Sequence, residues 1–175
     1  MNILKPVSIS AETSHKFVVR TDCNGKEESF TFSVESGPTP LIHEDDCFMT
    51  KAFEYSEPCI WISRAVSYLL SAYESTIELK NGDSIALRPL SIGIGDSTKE
   101  TTRYLVKFRS QNEKYVEHVF EVSCSDSTYS VTGNSGSWEG KFTNMKLTVS
   151  NEDEALPLIK SILSLQRARD VQSID

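Results

Sequence analysis

The stretch Cys59–Tyr73, CIWISRAVSYLLSAY, carries ten strongly apolar residues between Ile60 and Tyr73. Its polar positions, Ser63, Arg64, Ser67 and Ser71, followed by Glu74, recur every three or four residues. On a helix that spacing draws one narrow polar stripe and leaves the remaining circumference apolar. Such a helix must be covered on most sides, so the rest of the chain is expected to fold around it. Ser56-Glu57-Pro58 supplies a capping hydroxyl and a proline suited to a first turn. At 15 residues, with Arg64 inside it, the run is too short and too polar to span a bilayer.

Most of the remaining sequence alternates with the period of strands. Phe17 to Val34 reads as a hairpin about Asn24-Gly25, a pair that suits a type I′ turn. A two-residue loop sets Phe17 opposite Phe32, Val19 opposite Phe30 and Thr21 opposite Glu28, with the aromatics on one face. Thr76 to Pro89 reads as a second hairpin at Asn81-Gly82. There only an odd loop, with Gly82 in a G1 bulge, puts Ile77, Leu79, Ile85 and Leu87 on one face. Ser91 to Thr101 is expected to be a connector.

Tyr104, Val106 and Phe108 form one strand face, and Val116, His118, Phe120, Val122 and Cys124 another. Tyr129–Val131 and Trp138–Val149 add two strands, the last with a phase slip that a bulge near Thr143-Asn144 restores. A short helix is predicted from Asp45 to Glu54, with Phe48 and Phe53 inward and Glu44, Asp45 and Asp46 exposed. A final helix puts Leu158, Ile159, Ile162, Leu163 and Leu165 inward, with Lys160, Ser161, Ser164 and Arg167 outward. Pro157 lies near its start.

The fold class is therefore α+β: a curved antiparallel sheet of about six to eight strands packed around a mostly buried central helix, with a C-terminal amphipathic helix. At 175 residues the chain fits a single domain over 1–175, with 1–14 and 171–175 loosely ordered. No internal repeat or linker stands out.

The net charge is −7, and residues 27 to 57 hold eight acids against Lys51, leaving the rest of the chain balanced. That balance argues against a general nucleic-acid or anionic-membrane surface, because phosphate contacts need Lys and Arg. The N-terminus lacks an apolar run of signal-peptide length. Cys23, Cys47, Cys59 and Cys124 are widely spaced, so free thiols in a reducing cytoplasm are expected.

The candidate chemistry is thin. Gly93-Ile94-Gly95 leads into a strand, whereas a phosphate loop leads into a helix. His43-Glu44-Asp45-Asp46-Cys47 are neighbours in a row, which rarely converge on one ion, and calcium would need a glycine turn. His118 sits on an apolar strand face without an orienting partner in the sequence. No catalytic residue, metal or cofactor is assigned.

Two functional readings follow. The first is a non-enzymatic binding domain, an acidic inhibitor or immunity-type protein that neutralises a basic partner such as a toxin nuclease through Glu44, Asp45, Asp46 and Trp138. The second is a small-ligand or enzymatic domain of helix-grip-like architecture, with His118, Phe120 and Val122 lining a cavity between sheet and helix.

Overall fold

Asn24 and Gly25 both take positive φ, 55° and 84°, the backbone that a type I′ turn requires. The turn joins strand β2 (Lys16–Cys23) to strand β3 (Lys26–Glu35) in the expected register, Phe17 opposite Phe32 and Val19 opposite Phe30. A computed structural model of the protein describes residues 3–74, 77–78, 84–85, 88–109, 115–134 and 145–171.

Around this hairpin lie β1 (Leu4–Thr13) and the short β4 (Leu41–Glu44). Helices α1 (Asp46–Glu54) and α2 (Ser56–Glu74) follow. A two-stranded hairpin, β5 (Ile77–Glu78) and β6 (Ser84–Ile85), leads to β7 (Arg88–Ser97), β8 (Thr101–Arg109), β9 (Tyr115–Ser125), β10 (Thr128–Asn134) and β11 (Met145–Leu147). A 3-10 turn (Glu152–Glu154) precedes α3 (Pro157–Asp170).

Among the described residues nine strands form one open antiparallel sheet in the order β11-β10-β9-β8-β7-β1-β2-β3-β4. This is the α+β class that the periodicity implies, with one strand more than expected. The hairpin β5-β6 pairs Ile77 with Ile85, the register of an odd-length connection. Gly82, Trp138 and the expected bulge near Thr143-Asn144 lie outside the described residues.

Two expectations are corrected in the middle of the sheet. Residues 4–13 are not loosely ordered but form β1, hydrogen-bonded on both edges. Residues 91–97 are not a connector but most of β7. Both strands carry a bulge, at Val7 and at Leu90, where the pairing register shifts. A bulge inserts one residue and reverses the apolar phase. Pro6 and Ile9 thus both point inward, as do Pro89 and Ile92.

The chain also repeats itself, contrary to the sequence reading. Strands β1–β4 followed by α2 match β7–β10 followed by α3 in order. The segment KPVSIS (5–10) corresponds to RPLSIG (88–93), and KFVVR (16–20) to RYLVK (103–107). The halves meet where Ile9 faces Ile92, with Ser8 opposite Gly93 and Ser10 opposite Ser91, as a local two-fold axis through that pair demands.

Both long helices cover one face of the sheet. Ile62, Ala65, Val66 and Leu69 of α2 and Ile159, Ile162 and Leu165 of α3 are fully buried with Phe17, Phe32, Tyr104 and Phe120. Arg64, Ser67 and Ser71 form the exposed stripe on α2. On α3, however, Ser161 and Ser164 are buried rather than outward. Each hydroxyl donates to a backbone carbonyl, Ser161 to Ala65 across the helix interface at 2.7 Å and Ser164 to Lys160 at 2.8 Å. A bonded serine is small enough to sit where two helices approach closely. Arg167 lies over Trp61, Ser161 bonds Ala65, and Lys160 lies over Tyr68, so the two helices run antiparallel.

Candidate functional site

The acidic stretch from residue 27 to residue 57 resolves into two populations. Five of its carboxylates are engaged. Glu27 pairs with Arg20, Glu28 with Lys51 at 3.8 Å, and Glu35 with His43 at 2.9 Å. Glu44 accepts a hydrogen bond from Ser63 of α2. Asp45 caps α1: one carboxylate oxygen accepts from the Phe48 amide and the other from the Thr31 amide of β3, both at 2.7 Å. Glu44 and Asp45 are only partly exposed, so the expectation that Glu44, Asp45 and Asp46 form an open acidic face holds for Asp46 alone. The second population is Asp46, Glu54 and Glu57, which are exposed and have no ion pair among the described residues.

These free acids surround an apolar surface. Phe48 is fully buried, its ring edge-on to Phe30 (5.3 Å) and Phe32 (4.9 Å), and pins α1 to the sheet. The opposite side of α1 presents Met49 and, one turn on, Phe53, which is 90 % exposed. Phe53 is therefore not an inward companion of Phe48. At 100° per residue Phe48 and Phe53 point to different sides, while Asp46, Met49, Thr50 and Phe53 share one. Ile60, in the first turns of α2, is half exposed as well.

The other predicted positions are scattered. Trp138 lies outside the described residues. His118, 1 % exposed, packs its ring edge-on to Phe120 at 4.6 Å. It faces Val106 just as Phe30 faces Val19, so it occupies the core position that Phe30 fills in the other half. Phe120 and Val122 belong to the same core cluster, beneath the helices. Val122 also reaches the wall of a cleft of about 280 Å³ that Thr102, Gln166 and Arg169 line. His43, Glu44 and Asp45 point to different partners, Asp46 and Cys47 are exposed, and no metal-ligand group of three His, Cys, Asp or Glu exists among the described residues. All four cysteines are free thiols, Cys23 and Cys59 buried, Cys47 and Cys124 exposed.

A second surface feature escaped the sequence reading. Where α2 and α3 meet on the side away from the sheet, a cleft of about 520 Å³ opens between Trp61, Arg64 and Tyr68 on one helix and Lys160, Leu163 and Arg167 on the other. Aromatic residues at 61 and 68, and cations at 160 and 167, mark it in the sequence only once the helices are known to be antiparallel.

No protein-family model, curated protein or solved structure matches the chain.

Proposed function

We propose that the protein is a non-enzymatic binding domain that docks a basic protein partner on the outer face of α1. The observation that carries this reading is Phe53, almost fully exposed on a helix that Asp45 and Phe48 hold rigidly against the sheet. An exposed aromatic on a rigid base is the composition of an interface anchor. Asp46, Glu54 and Glu57 supply an acidic rim, which favours a partner with Lys and Arg around an apolar centre and speeds its encounter. Charge is also what supports the finer reading, an inhibitor or immunity-type protein that neutralises a basic toxin such as a nuclease.

Reversing Asp46, Glu54 and Glu57 together to Lys tests the rim. None of the three makes an ion pair among the described residues, and Asp46 and Glu57 sit in the first turns of α1 and α2, so the variant should still fold, at a cost of about 0.3–1 kcal/mol for each of those two positions. Its association with the partner should slow by about tenfold at low salt and by less at high salt. Association indifferent to both the reversal and the ionic strength would refute the acidic docking face.

A further inference from the structure

The geometry points to the cleft between α2 and α3 as a binding site for a small organic monoanion, a carboxylate on an apolar body, distinct from the α1 surface and independent of the reading above. The cleft of about 520 Å³ lies in the size range of small-molecule pockets. It sits on the seam of the two helices. Trp61 and Tyr68 are seven residues apart on α2, hence about 10 Å along the axis. Across the seam Arg167 lies 4.8 Å from the Trp61 ring and Lys160 lies 5.6 Å from the Tyr68 ring. The two cation–aromatic rungs close its ends.

The cations are not equivalent. Arg167 is compensated: it pairs with Glu152, both side chains largely buried, and its guanidinium also lies 5.5 Å from the Tyr129 ring. Arg64, by contrast, rests on Trp61 at 4.6 Å, and neither Arg64 nor Lys160 has an acidic partner among the described residues. Aromatic faces hold both cations in place without neutralising them. Their hydrogen-bond donors remain available to an anion between the rungs, where charge-assisted bonds are strongest.

The same lining sets the ligand's class. Arg64, Lys160 and Arg167 against Glu152 and Asp153 leave one net positive charge, which matches a monoanion better than a dianion. Trp61, Tyr68, Val149 and Leu163 provide the apolar wall for its body. A cationic seam of this kind is unexpected on a chain of net charge −7, whose exposed carboxylates would be natural partners for surface cations.

The indole N–H signals of the two tryptophans, assigned in two-dimensional NMR with Trp138→Phe, report on the site. Benzoate should shift the Trp61 signal saturably. Acetate, which lacks the body, and benzyl alcohol, which lacks the charge, should bind at least about tenfold more weakly, a difference of about the burial of two methylene groups for acetate and about one charge-assisted hydrogen bond for the alcohol. Phenyl phosphate should bind no tighter than benzoate. The double variant Arg64→Gln/Lys160→Gln should lose the benzoate response, and Lys26→Gln, a surface control, should keep it. Benzyl alcohol matching benzoate would reduce the cleft to an apolar groove. A double variant that still binds benzoate, the absence of any saturable shift, or phenyl phosphate binding tenfold tighter would overturn the proposal.

Discussion

Ile9 of β1 lies directly opposite Ile92 of β7 in the centre of the sheet, and both side chains are fully buried. They occupy the same place in the two halves of the chain, one after Lys5-Pro6-Val7-Ser8 and the other after Arg88-Pro89-Leu90-Ser91. Ile9→Ala and Ile92→Ala should therefore cost similar stability, about 2–5 kcal/mol each. Because the two residues are neighbours, the double variant should depart from the sum by about 0.5 kcal/mol or more. Urea unfolding measures all three. A cost below about 1 kcal/mol for either single variant would mean that the seam between the halves is not a core contact.

Asp45 and Asp46 are adjacent acids with opposite roles. Asp45→Ala removes the cap of α1 and strands the Thr31 amide, so it should cost about 2 kcal/mol or more. Asp46→Ala should change stability by less than about 0.5 kcal/mol. Asp45→Asn retains an acceptor for the cap and should fall between them. Equal effects of the two alanine variants in thermal or chemical unfolding would contradict the geometry at the start of α1.

Alkaline pH should destabilise the fold through buried acids that must stay protonated. Burial, with Glu44 adding to it, pushes the Cys59 thiol from 9.0 up to about 12. Burial, with Asp170 adding to it, pushes the Tyr129 hydroxyl from 10.0 up to about 12. A raised folded-state value means that the neutral form is favoured by folding. The contribution is fully present below pH 9 for Cys59 and is lost as the pH climbs toward 12. The limiting slope is about 1.4 kcal/mol per pH unit for each group. Cys59→Ala should flatten the fall in unfolding free energy between pH 9 and 10, where Cys59 outweighs each of the buried tyrosines Tyr104 and Tyr129, whose ordinary value is 10.0. A fall of unchanged steepness in the variant would show that Cys59 is not the titrating group.

What the sequence made legible is what short-range chemistry specifies. Asn24-Gly25 set the register of its hairpin because a type I′ turn admits only one. Tyr104, Val106 and Phe108 marked their buried face because nothing interrupts the alternation. Strands β1 and β7 were missed for the converse reason: the bulges at Val7 and Leu90 switch the apolar phase in mid-strand, and periodicity fails there. The repeat hid in these two strands and in β2 and β8, where the similarity is conservative (Lys for Arg, Phe for Tyr, Val for Leu) and spread over short stretches.

On α1 two apolar pairs compete for the inward direction, and spacing alone does not separate Phe48 from Phe53. Only the aromatic neighbours Phe30 and Phe32, distant in sequence, decide it. Ser161 and Ser164 read as a wet face because a serine bonded to a helix carbonyl looks like any other serine in a sequence. Of the candidate interface, the charge was visible from the outset, whereas the exposed Phe53 that gives it an apolar centre was not.

The central claim, that α1 presents a docking face, is tested most directly by affinity purification from the protein's own source cells, with the natural chain and Phe53→Asp as parallel baits and quantitative mass spectrometry of what each retains. Phe53 contributes nothing to the core, so both baits should fold alike. The account predicts a basic protein retained by the natural chain, depleted at least tenfold on Phe53→Asp and weakened when the salt is raised. Equal retention of that protein by both baits, at low and at high salt, would contradict it.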